Sequence, residues 1–139
     1  MISIAELPLE QRRAFVAALL YVATVDEEYH SAEQDFVRSA FIAANLTTDD
    51  ELAVIEVLRS RPPLERVLAP LKNQPVARLL VRELVALAHA DGKYVDAERS
   101  GVALVSDLLG LPRAWLTDVE SWVADGIAWQ KRGIILIEN

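Results

Sequence analysis

Hydrophobic and polar positions alternate along this chain in a pattern that predicts helices almost throughout. From Leu9 the sequence starts polar with Glu10, Gln11, Arg12 and Arg13, then turns apolar on every side as far as Val25. That is the signature of a helix buried among others. After a break over Asp26 to His30, Ser31 and Gln34 resemble a capping box, and Phe36, Val37, Ala40, Phe41 and Ala44 recur at helical spacing with Glu33, Asp35 and Arg38 off that face. Asn45 suits the left-handed conformation that ends helices, and Gly110 holds the matching place later in the chain. Thr48 with Glu51 signals a third helix, with Leu52, Ile55 and Leu58 as its core-facing stripe, ending before Pro62.

The stretch from Arg61 to Pro75 is a connector: Pro62 and Pro63 open it, Leu64 to Ala69 can form a short helix, and Pro70 and Pro75 bracket a polar turn. A largely apolar helix follows from Pro75, suited to a first helical position, to Ala90. The next runs from Asp96 to Leu109 and buries Val102, Val105, Leu108 and Leu109. From Pro112 a last helix turns Trp115, Leu116, Val119, Trp122 and Val123 inward, Gly126 loosens its end, and Ile134 to Ile137 are expected to dock on the core. A first unit of residues 9–60, the connector 61–75 and a second unit of residues 76–131 make one domain of 139 residues, long enough for a substantial core without staples.

The division into units rests on an internal repeat. Aligning Asp26 with Asp91, 65 residues on, pairs Tyr29 with Tyr94, Ala32 with Ala97 and Glu33 with Glu98, a shared Asp-x-x-Tyr-x-x-Ala-Glu. At the same offset Ala23 faces Ala88, Val37 faces Val102, Leu46 faces Leu111 and Val54 faces Val119.

Composition narrows what such a helical protein does. With no cysteine there is no disulfide, thiolate zinc site or cysteine nucleophile, which fits a reducing compartment, and a cytoplasmic location is expected. A net charge of −7 without a basic stripe opposes nucleic-acid binding. The start of the chain lacks the pattern of a signal peptide, and the run from Ala14 to Val25 is too short for the ~20 residues of a membrane span. Gly-x-Ser-x-Gly, a phosphate-cradling glycine loop and His-Glu-x-x-His are all missing, so no catalytic and no cofactor-binding residue is assigned.

The run Ala88-His-Ala-Asp-Gly closing an apolar helix, followed by Glu98 opening the next and echoed in the first half, resembles the TerB-like family. This family comprises the bacterial tellurite-resistance TerB proteins and the related N-terminal domain of the DjlA co-chaperone. The similarity spans roughly Leu9 to Val123. It implies an all-α fold of about seven helices in two units related by a pseudo-two-fold axis, with an acidic metal site whose residues fall here on Asp26, Glu33, Asp91 and Glu98. The first half departs from the pattern, with Glu27 in place of the glycine at Gly92 and Ser31 opposite Asp96.

Four convergent carboxylates suit a hard divalent cation, Ca²⁺, Mg²⁺ or Mn²⁺, with His30 and His89 near enough in sequence to alter that preference. The loop is not an EF-hand, because Lys93 and Val95 stand where oxygen ligands belong. The same residues also fit a metal-free account. Glu33 and Glu98 are favoured by the helix dipole at an N-terminus, and an aspartate in a turn accepts backbone N–H bonds. Two readings of function follow. One is a non-enzymatic, cation-binding stress-response module acting through an unidentified protein partner, peripheral association with a membrane protein included. The other is a metal-free interaction scaffold. A metal-dependent hydrolase ranks third.

Overall fold

The computed structural model describes residues 3–23, 31–89 and 96–138, with the side chains at 23, 31–34, 36 and 97 excepted. Among the described residues the chain is all-helical without a strand: α1 Leu9–Ala23, α2 Ser31–Ala43, α3 Thr48–Arg59, α4 Leu64–Leu68, α5 Val76–Ala88, α6 Asp96–Leu108 and α7 Arg113–Glu138. Short 3₁₀ turns at Ile4–Glu6 and Ala69–Leu71 precede α1 and follow α4.

α1 is the post around which the others stand. Ala14, Phe15, Val16, Ala17, Ala18, Leu19 and Val22 are all buried, so apolar groups point in every direction, as the sequence pattern requires. α2, α3, α4, α5 and α6 each pack against it. Ala14, Ala17 and Ala18 give this helix small side chains, and a Cβ added at Gly101 of α6 would make ordinary van der Waals contact with Val22 Cγ1 at 3.8 Å. α5 is the second post, burying Leu80, Val81, Leu84, Val85 and Leu87 between α1, α6 and α7. Each fully buried Leu or Phe of this core contributes roughly 1.5–3 kcal/mol relative to an exposed one. The connector is part of that core, since Leu64, Val67, Leu68 and Leu71 are buried against α1.

Helix boundaries recur at the repeat spacing. α2 starts at Ser31 and α6 at Asp96, α3 at Thr48 and α7 at Arg113, each pair 65 residues apart. α2 and α6 end alike. Leu46 N–H donates to Phe41 O and Asn45 N–H to Ile42 O, while Leu111 N–H donates to Ser106 O and Gly110 N–H to Asp107 O. Both are Schellman endings, with Asn45 at φ 53° and Gly110 at φ 77° as expected.

Elsewhere the structure corrects the sequence reading. The capping box of α3 is Thr47 with Asp50, one residue before the expected Thr48 and Glu51. Thr47 Oγ1 accepts Asp50 N–H at 3.2 Å and Asp50 Oδ2 accepts Thr47 N–H at 3.0 Å. Adjacent threonines leave the register open in sequence, and Arg13 of α1 decides it by donating to Asp50 Oδ1 from Nε at 3.0 Å and from its terminal amine at 2.5 Å. The core side of α3 is consequently Asp50, Val54 and Leu58, and Leu52 and Ile55 face outward. Pro75 directly precedes Val76 with helical φ −56° and ψ −29°, the conformation a proline takes at a helix start. α7 does not loosen at Gly126. It runs unbroken for 26 residues, roughly 39 Å, with Trp122 turned outward and Ile134 to Ile137 exposed instead of docked.

The Asp50 carboxyl is lowered from 3.8 to about 2, first by the Thr47 backbone N–H, then by Arg13 and the Thr47 hydroxyl. A depressed pKa contributes stability above the unfolded value that is lost as pH falls through the folded one. Asp50→Asn is therefore expected to destabilise the protein near pH 6, with the deficit shrinking below pH 3.8 and disappearing towards pH 2. Urea unfolding of both proteins across that range checks this, and a deficit independent of pH would exclude the charged contacts as its source.

Candidate functional site

The four predicted ligands are unequally placed. Asp26 and Asp91, together with Tyr29, His30 and Tyr94, lie outside the described residues. Glu33 falls in the first turn of α2 with its side chain outside them. Glu98 stands in the first turn of α6 and is only 3% exposed. The helix dipole favours a glutamate in a first turn whether it is buried or exposed, so the dipole does not by itself explain the burial.

The sequence of α6 explains that burial. Glu98, Val102, Val105 and Leu109 follow at helical spacing and all are buried, so the carboxylate tops the stripe that packs α6 onto α1 and α5. His89 closes α5 as its C-cap residue, at the opposite end of the α5–α6 connection. Further down α6, Ser106 is 1% exposed and its Oγ has no hydrogen-bond partner among the described residues. Among the described residues no group of three or more His, Cys, Asp or Glu side chains is placed to hold a metal ion.

A second feature lies at the three tryptophans of α7, whose helical spacing reads in sequence as core and rim and not as a site. An open groove of about 340 Å³ runs between α5 and α7, lined by Arg78, Leu79, Arg82, Trp115, Val119 and Trp122. The Arg78 guanidinium lies 4.9 Å from the centroid of the Trp115 ring, a cation–π contact joining the two helices. The groove continues past Trp122 into a cleft of about 540 Å³ bordered by Ala86, Gly126 and Trp129. Trp122 and Trp129 are 62% and 76% exposed, large apolar surface that a monomer ordinarily covers. The seven-residue spacing of Trp115, Trp122 and Trp129, matched by Gly126 and Gly133, was the available signal.

Compared with known proteins, the chain matches no family model, no curated protein and no solved structure. No helix among the described residues is long and apolar enough to cross a membrane.

Replacing Ser106 with alanine removes a buried hydroxyl that has no partner among the described residues and raises helix propensity. Ser106→Ala should leave stability unchanged or raise it by up to about 1 kcal/mol. Loss of stability in thermal or urea melts would reveal a hydrogen bond made by that hydroxyl.

Proposed function

We propose that this protein is a non-enzymatic helical module that binds a hard divalent cation at the α5–α6 connection and acts through protein contacts, as its resemblance to the TerB-like proteins implies. The burial of Glu98 carries the reading. A carboxylate kept from water at a helix start, in the half of the chain with the fuller motif, is suited to meet a positive charge there. Asp91 lies seven residues before it, and the 65-residue recurrence of helix starts and Schellman endings supports a pseudo-two-fold arrangement that would bring Asp26 and Glu33 to the same ion. All-oxygen donors of this kind select Ca²⁺, Mg²⁺ or Mn²⁺ over softer metals. A stress-response role of the tellurite-resistance type belongs to the same proposal.

The exposed apolar groove along α7 favours a second reading, a metal-free interaction scaffold. The two readings part on addition of metal. A cation that binds only the folded state stabilises it by about 2.7 kcal/mol at a hundredfold excess over Kd. Melting should therefore rise with millimolar Ca²⁺, Mg²⁺ or Mn²⁺ over the chelated protein, and Glu98→Gln should abolish the rise while still melting cooperatively in chelator. Identical melting of the wild type in chelator and in each ion leaves the scaffold.

A further inference from the structure

α7 carries a heptad seam whose two kinds of position differ sharply in size. Trp115, Trp122, Trp129 and Leu136 repeat every seven residues, and Val119, Gly126 and Gly133 fall between them at alternating steps of four and three. Near the domain the seam packs on α5 and α6, where Trp115 and Val119 are partly buried against the core. Beyond it the seam is bare, with Trp129 and Leu136 76% and 72% exposed. A Cβ built at Gly126 or Gly133 meets nothing within 4 Å, so each glycine opens a hollow beside a protruding tryptophan.

We propose that α7 pairs antiparallel with α7 of a second copy of this chain, about a two-fold axis passing between Ile127 and Ala128. This inference goes beyond the cation reading and does not depend on it. In that register Trp122 of one copy lies over Gly133 of the other, Trp129 over Gly126, and Val119 against Leu136. Every large residue then meets a small or medium one, reciprocally, as an isologous interface requires. A parallel pair instead sets tryptophan against tryptophan and glycine against glycine.

Charge selects the same arrangement. Asp125 and Arg132 occupy equivalent flanking positions one heptad apart. Antiparallel pairing brings Asp125 of each copy beside Arg132 of the other, whereas parallel pairing sets Asp125 beside the uncharged Gln130. The distal end of the second helix, with Leu136 and Ile137, reaches the apolar groove between α5 and α7, so one partner covers both the bare seam and the groove. An anionic bilayer fits this surface less well, because the chain carries a net charge of −7 and Asp118 and Asp125 flank the seam.

Sedimentation velocity and light scattering of the full chain over 1–200 µM test the pairing. The expected result is a reversible dimer of twice the 15.4 kDa chain mass. Asp125→Arg and Arg132→Asp should each raise the dimer Kd at least tenfold, and the double exchange should restore it. Gly126→Leu with Gly133→Leu fills the hollows while favouring the helix, so it should give a monomer that still melts cooperatively. A wild type that stays monomeric at 200 µM overturns the proposal, whether or not it binds vesicles of phosphatidylcholine and phosphatidylglycerol. So does a dimer unchanged by the leucine variant, or one that the double charge exchange fails to restore.

Discussion

Everything in this fold depends on α1 being apolar around its whole circumference. A helix with one greasy stripe needs one neighbour, but a helix with Phe15, Val16, Ala18 and Leu19 buried on different sides must be enclosed. Five helices from both halves of the chain supply the enclosure. Even the connector helix α4 packs on α1, burying Leu64, Val67 and Leu68.

Two adjacent arginines in the first turns of α1 convert this packing into a defined register. Arg12 donates from Nε to Leu7 O at 2.9 Å and from its terminal amine to Ala44 O and Asn45 O, both at 3.2 Å, satisfying carbonyls left over where α2 ends. Arg13 holds Asp50 where α3 begins. The turn from α2 to α3 is thereby tied to the post at both edges. The turn from α6 to α7 is tied differently, by Arg113 donating to both carboxylate oxygens of Asp107 at 3.2 and 2.6 Å, which raises the Arg113 pKa. One turn is bound to the core and the other across its own mouth.

Helix content and order were legible because the apolar periodicity of α1, α2, α5 and α6 is strong and their ends carry Pro, Asn or Gly. Local pattern failed where a distant group decides. The start of α3 depends on Arg13, 37 residues away from Asp50, and Leu52 and Ile55 fit an inward stripe until that pair rotates the helix. At α7 the difference is of another kind: Gly126 reads in sequence as loosening the helix, although helix propensity penalises a glycine only modestly and the seam around it is regular. Of the acidic site, only Glu98 falls among the described side chains, and its burial follows from a stripe already visible as Val102 and Val105.

The enclosure of α1 has a consequence for biosynthesis. Its walls include α5 and α6, encoded more than fifty residues downstream of Ala23. While only α1 to α3 have left the ribosome, the faces destined for Leu80, Leu84 and Val102 meet solvent, because domains complete their cores as units. A nascent chain of this protein thus presents its most apolar segment, Ala14 to Val22, early and covers it late, and that interval is when chaperones have most to bind.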